Sequence, residues 1–164
     1  MGRRMVIGIA VVLGLFVLAC GSTPTPAANA PTAAPTRAGA IGERIEQNGV
    51  ALTVIKMEQK AEIDQFQKAT TGNVFLVAEV LIENSGVAKA PYNPLYFTVK
   101  DGDGFEYNAA LTAGEGALKS GELVRGDKAR GVVAFEVKQT AKTLILSYKP
   151  LVFGAGDAIR IALK

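Results

Sequence analysis

The chain has 164 residues, with eighteen Lys and Arg against fifteen Asp and Glu, a formal charge of +3, one Cys, and neither His nor Trp. Without histidine there is no Ser-His-Asp or Cys-His nucleophilic site and no His-ligated zinc or haem; one cysteine allows neither an intrachain disulfide nor a cysteine-held metal cluster. The length suits one ordinary domain.

Residues 1–19 read as an export signal. Arg3 and Arg4 supply a positive start, and Val6 to Ala19 is uncharged and mostly Val, Ile, Leu and Phe. That run is short of the roughly 20 apolar residues that span a bilayer, and it suits a signal-peptide core. It ends at Val17-Leu18-Ala19-Cys20-Gly21. A small residue before a cysteine at this place resembles the lipobox of bacterial lipoproteins, although Leu18 stands where that family more often has a smaller residue. The resemblance implies that residues 1–19 are removed and that Cys20 carries the lipid as the first mature residue. Two acyl chains are what stable anchoring requires, each buried methylene adding about 0.8 kcal/mol. The expected setting is the extracytoplasmic side of the cell membrane, with the membrane itself as a partner through Cys20.

Loss of Arg3 and Arg4 leaves sixteen basic residues against fifteen acidic, a formal charge of +1. No polybasic block remains, so the electrostatic footprint of nucleic-acid binding is missing.

Residues 20–40 form a tether. Ser22 to Ala40 carries Pro24, Pro26, Pro31 and Pro35 among Ala and Thr, with no apolar face to bury, and is expected to stay disordered. In polyproline II it would reach roughly 60 Å, and as a flexible coil roughly 25 Å.

From residue 41 to 164 large apolar residues come in short alternating runs broken by Gly, Asp, Asn and Pro, the pattern of an all-β domain. In Val50 to Lys56, Val50, Leu52 and Val54 share a face. In Val74 to Glu83, Leu76, Ala78, Val80 and Ile82 face one way, and Glu79 and Glu83 the other. Phe75 and Val77 make the first half apolar on both faces, as in a covered central strand. Leu95 to Lys100, the turn Asp101-Gly102-Asp103-Gly104 and Phe105 to Tyr107 predict a hairpin. Gly131 to Val137, then Leu144, Leu146 and Tyr148, then Ile159, Ile161 and Leu163 complete seven to eight strands. Gln59 to Thr71 is the ambiguous segment, compatible with a helical turn or an edge strand. At most one short helix is expected.

Taken together, Gly72 to Asn84, Phe97 to Asp101, Gly104 to Tyr107, and Leu123 to Lys128 leading into Gly131 to Val137 resemble the telokin-like, immunoglobulin-related domain of unknown function (DUF4352-type) of bacterial secreted lipoproteins. The resemblance covers about residues 49–164. It implies an immunoglobulin-like β-sandwich at a cell surface and no reaction, because the family carries no established active site to transfer. Fold does not fix function in any case.

Candidate sites are few. Arg125-Gly126-Asp127 is an adhesion-type tripeptide, read here as the turn before a strand. Asp101 and Asp103 begin like a calcium loop, but the twelfth position is Thr112 rather than Glu, so the turn reading is preferred. Glu79 and Glu83 lie four apart on one strand, roughly 13 Å between Cα atoms, too far for an acid/base pair unless another strand supplies the partner. Tyr92, Tyr96 and Tyr107 flank the hairpin and offer a sugar-stacking surface, or a cross-strand pair of Tyr96 and Tyr107. Thr112 to Glu122, with Gly114, Gly116 and Gly121, lacks the phosphate-loop pattern and is expected to be a mobile connection and the place for partner contact. No cofactor and no catalytic residue is assigned. The expectation is a non-catalytic binding or envelope-accessory module, meeting an envelope protein or a glycan. The alternatives are an envelope enzyme or an inhibitor of one, and a carbohydrate- or calcium-binding surface module.

Overall fold

The structure is a computed structural model that describes residues 38–111 and 113–164. The expected signal segment, Cys20 and all but the last three residues of the expected tether lie outside the described residues.

Twelve strands appear among them: β1 (Arg44–Gln47), β2 (Val50–Lys60), β3 (Glu62–Asp64), β4 (Gln67–Lys68), β5 (Asn73–Asn84), β6 (Lys89–Tyr92), β7 (Phe97–Lys100), β8 (Glu106–Asn108), β9 (Gly121–Val124), β10 (Lys128–Lys138), β11 (Ile145–Tyr148) and β12 (Ile159–Ala162). Eight of them build two antiparallel four-stranded sheets, in the orders β1-β2-β5-β10 and β12-β11-β7-β8. The other four pair as two short ribbons, β3-β4 and β6-β9.

The period-two alternation dictates which faces meet. Leu76, Ala78, Val80 and Ile82 of β5 are fully buried, as are Val50, Leu52 and Val54 of β2 and Phe135 of β10. They face Phe97 and Val99 of β7, Leu146 and Tyr148 of β11, and Ile159 and Ile161 of β12, in a single buried cluster. Each large apolar side chain so buried contributes about 1.5–3 kcal/mol. At the centre the ring of Phe97 stacks on Tyr148 with centroids 4.4 Å apart.

Strand β2 is longer than its first apolar run because a bulge corrects its phase. Val54 lies opposite Val80 and Lys56 opposite Glu79, so Ile55 is the extra residue. Beyond it Met57 instead of Lys56 faces the core, opposite Ala78. A bulge shifts the side-chain parity by one, and β2 runs on to Lys60. The ambiguous segment after it is a hairpin, β3-β4. Asp64 Oδ1 accepts from the backbone N–H groups of Phe66 and Gln67 at 2.8 and 2.9 Å, which favours a turn over a helix.

Three details depart from the expected pattern. The seventh strand begins at Phe97, because Pro94–Tyr96 forms a 3₁₀ turn capped by Asn93, whose side chain accepts from Leu95 N at 2.8 Å. Tyr96 therefore does not pair with Tyr107; Tyr107 lies opposite Val99. Pairing also starts before residue 41. Gly39 N donates to Arg160 O at 2.9 Å and Ala162 N donates to Gly39 O at 2.8 Å, which places Gly39 beside β12.

The glycine-rich connection is not a free loop. Ala110 N donates to Ala134 O, Leu118 N to Val132 O and Val132 N to Gly116 O, at 2.7, 2.8 and 2.9 Å. Ala109 bridges to Phe135 and Ala117 to Val132. The segment lines the outer edge of β10, with Ala113 and Leu118 buried. An uncovered edge of eleven residues would be a template for aggregation, and this segment removes it.

Candidate functional site

Lipid attachment at Cys20 lies outside the described residues. No helix among them is long and apolar enough to cross a membrane.

The Asp101–Gly104 turn is built around one carboxylate. Asp101 Oδ1 accepts from the backbone N–H groups of Asp103 at 3.0 Å and Phe105 at 2.9 Å, and Oδ2 accepts from the Tyr107 hydroxyl at 2.8 Å. Gly104 supplies the positive φ of 90° that lets the chain double back. Burial alone would push the Asp101 carboxyl up, but the Tyr107 hydroxyl and the two N–H groups outweigh it and hold the carboxyl below its usual range. Burial and then the facing carboxylate push the Tyr107 hydroxyl up. A cation at Asp101 and Asp103 would have to displace these three hydrogen bonds. No group of three or more metal-ligating side chains occurs among the described residues.

Glu79 and Glu83 share the outward face of the first sheet, with Leu81 between them, as parts of an ion lattice. Arg130 Nε and a second guanidinium nitrogen both reach Glu79 Oε1 at 2.7 Å, and Lys56 lies 4.0 Å from its other oxygen. Glu83 is held by Lys128 and by Arg44 Nε, the latter at 2.9 Å. The Lys128 ammonium is the main cause that lowers the Glu83 carboxyl below its usual range.

The Arg125-Gly126-Asp127 turn joins β9 to β10 and is tied down rather than displayed. Gly126 takes φ 92°, its N–H donates to Asn84 O at 2.8 Å, and Arg125 donates to Gly86 O at 2.6 Å. The residue that organises this corner is Asn84, buried at the end of β5. Its Nδ2 donates to Leu123 O at 2.9 Å, and its Oδ1 accepts from Val87 N at 3.1 Å and Gly86 N at 3.3 Å. An Asn-Ser-Gly after an alternating run is the signal that points to such a corner.

Two of the clefts among the described residues open over the outward faces of the sheets. One, of about 380 Å³, lies over the first sheet between the β3-β4 hairpin and residues 113–116. Ile63 and Gly114 close over it; a Cβ at Gly114 would sit 2.7 Å from Ile63 Cγ2. Most of its charged lining is already paired, with Glu58 3.3 Å from Lys56 and 3.5 Å from Lys60, and Glu79 held by Arg130; Glu115 also lines it, with no ion pair among the described residues.

The other cleft, of about 440 Å³, lies on the outward face of the second sheet. There the register places Arg160 opposite Ser147, Ser147 opposite Thr98 and Thr98 opposite Asn108, one polar row across all four strands. Lys149 and Tyr96 stand beside it, joined by a 2.9 Å bond from Lys149 N to Tyr96 O, and Glu106 lines the opposite end. Among the described residues no ion pair engages Arg160, Lys149 or Glu106 (every ion pair lies on the first sheet or the ribbons). Tyr92 and Tyr107, the other two expected stacking residues, are elsewhere: Tyr107 binds Asp101, and Tyr92 packs on Gly121 in the β6-β9 ribbon.

No curated protein sequence matches the chain. Solved structures do. The candidate lipoprotein ycdA of Bacillus subtilis superposes with a TM-score of 0.63 at 13% identity, over 73% of this chain and 37% of that one. The chain thus spans little more than a third of ycdA's length. The yjhA protein of the same organism superposes with a TM-score of 0.59 at 21% identity, over 77% of this chain and 99% of that one. The secreted protein MPT63 of Mycobacterium tuberculosis superposes with a TM-score of 0.61 at 15% identity, over 80% and 99%. At these identities the likeness is one of fold, the β-sandwich. The family match reaches further into the sequence. Residues 39–159 fit the family described as a domain of unknown function, DUF4352, and the chain belongs to that family.

Proposed function

We propose that the chain is a lipid-anchored lipoprotein that presents its β-sandwich on the extracytoplasmic side of the cell membrane as a non-catalytic binding module. The observation that carries the reading is the placement of the single cysteine, Cys20, at the end of an apolar run after Val17-Leu18-Ala19. The tether fits it, since residues 21–38 are rich in Pro, Ala and Thr and Gly39 is already paired to β12. Two of the structural relatives point the same way by their descriptions, one as a candidate lipoprotein and one as a secreted protein. The binding role is supported by the open cleft on the second sheet, and the non-catalytic role by the engagement of Asp101, Glu79 and Glu83 in bonds within the fold.

The test is metabolic labelling of bacteria that express the full chain with radiolabelled palmitate. Label is expected on the wild-type protein and not on the Cys20→Ser variant, which moves from the membrane fraction to the soluble one. Equal labelling of both proteins, or none of either, would overturn the anchor.

A further inference from the structure

We propose that the outward face of β12-β11-β7-β8 binds a short oligosaccharide that carries a carboxylate, an assignment that rests on the reading of the domain as a binding module. The first argument is a contrast in charge. On the outward face of the first sheet Arg44, Lys56, Lys128 and Arg130 each have a carboxylate partner, and Lys138 lies over the Phe105 ring, 3.9 Å from its centroid, so most of that face is compensated by its own residues. On the second sheet Arg160 and Lys149 are uncompensated and border a cleft of about 440 Å³. A planar guanidinium presents a fork of donors that matches a carboxylate, and it remains charged at all relevant pH.

The second argument is the polar row. Arg160, Ser147, Thr98 and Asn108 lie on successive strands about 4.8 Å apart, so the row extends roughly 14 Å. Short hydroxyl and amide groups at that repeat both donate and accept, as a chain of sugar hydroxyls requires. Tyr96 adds a ring at one side of the cleft, and Leu95, 63% exposed, adds apolar surface beside it. The amphipathic ring of a tyrosine suits a sugar, apolar on one face and hydroxylated at its edge.

The third argument separates this ligand from other anions. A peptide laid on the face would find no backbone partner, because β7 and β11 are paired on both sides; peptide addition needs a free edge. A continuous polyanion would meet Glu106 at the far end of the cleft. One localised negative group beside Arg160 and Lys149, followed by neutral hydroxyls and a donor near Glu106, satisfies all of these groups at once.

The experiment is calorimetric titration of the full chain in detergent with three probes: trigalacturonic acid, maltotriose and tetra-L-glutamate. Trigalacturonic acid is expected to bind at least about tenfold more tightly than either of the others. Arg160→Ala is expected to weaken it about tenfold and Ser147→Val several-fold, while Lys56→Ala on the opposite face leaves it unchanged. Lys149→Ala, fully on the surface side of the cleft, serves if Arg160→Ala lowers the melting temperature. Equal or tighter binding of tetra-L-glutamate would replace the glycan by an acidic peptide. No binding of trigalacturonic acid, or binding insensitive to both Arg160→Ala and Lys149→Ala, would overturn the site. The Cys20→Ser chain is titrated in parallel. Failure of lipid attachment leaves its binding intact, so loss of the anchor and loss of the site are read separately.

Discussion

Asn84 Nδ2 donates to the carbonyl oxygen of Leu123 across 2.9 Å and ties the end of β5 to the β6-β9 ribbon. The same side chain accepts from the N–H groups of Gly86 and Val87, so one buried amide sets both the exit of β5 and the position of the ribbon. Replacement by alanine takes from the Leu123 carbonyl and the Val87 N–H the partner that the amide supplies, while Gly86 N–H keeps its 2.9 Å bond to Gly49 O. A buried group so orphaned costs about 1–3 kcal/mol, and Asn84→Ala is expected to lose about 3 kcal/mol in urea unfolding. A loss below about 1 kcal/mol would mean that water replaces the amide.

Acid should destabilise the domain through its engaged carboxylates. Asp101, Glu83 and Glu136 are all held below their usual range, Glu136 chiefly by the side-chain amide of Asn73. A depressed native pKa contributes stability that is fully present above the unfolded value, near pH 4, and is lost as pH falls through the native value. The melting temperature should therefore be nearly flat from pH 7 to about pH 5 and fall below about pH 4. Tyr107→Phe removes the hydroxyl from Asp101, lowers the melting temperature at pH 7, and should narrow its difference from wild type as the pH approaches 2. A constant difference across that range would detach Tyr107 from the titration of Asp101.

Gly131 occupies the interior of β10 for a steric reason. A Cβ there would lie 2.5 Å from Leu118 Cα and 2.8 Å from Leu118 N, both backbone atoms with little freedom to yield. Gly131→Ala is expected to push residues 116–118 off the edge of β10. The cost should be about 1–3 kcal/mol, with faster hydrogen exchange at the Leu118 and Val132 amides. Unchanged exchange at Leu118 would show that the covering segment adapts in place.

Tyr148 is fully buried, yet its hydroxyl has no hydrogen-bond partner among the described residues. Burial drives its pKa far upward, so it is neutral at any working pH. A buried hydroxyl without a partner opposes folding, whereas the ring beneath it stacks on Phe97 and meets Phe153 edge-on, with centroids 6.4 Å apart. Tyr148→Phe should be neutral or stabilising by up to about 1 kcal/mol, and Tyr148→Ala should cost about 3–5 kcal/mol. A clear loss in the phenylalanine variant would reveal a water held at the hydroxyl.

Much of the fold was legible because period-two alternation is a local property. Leu76, Ala78, Val80 and Ile82 announce one face, and Glu79 and Glu83 the other, without any knowledge of neighbours. The bulge at Ile55 was not legible. It depends on which residues of β5 lie opposite, and Met57 in isolation reads as readily outward as inward. The glycine-rich segment was misread as mobile for the same kind of reason. Its anchors, Val132, Ala134 and Phe135, are distant in sequence, and a run rich in Gly looks alike whether it is free or laid along an edge. The tyrosines were grouped by sequence proximity to the hairpin. Only Tyr96 lines the open cleft of the second sheet, because the 3₁₀ turn after Asn93 sets it apart from Tyr107.

By itself the sequence determined the fold class, the inward and outward faces of the main strands, and the absence of any histidine or cysteine from residues 41–164. These follow from composition and from a repeat of two residues, which need no partner to be read. Tertiary structure alone decided which charges are neutralised and which are left over. Pairing of Glu79 with Arg130 and of Glu83 with Lys128 and Arg44, against Arg160 and Lys149 with no ion pair among the described residues, follows from strand order and register. Coulomb energy and hydrogen bonding act over a few ångströms of space, and residues far apart in the chain share that space only after the sheets have formed.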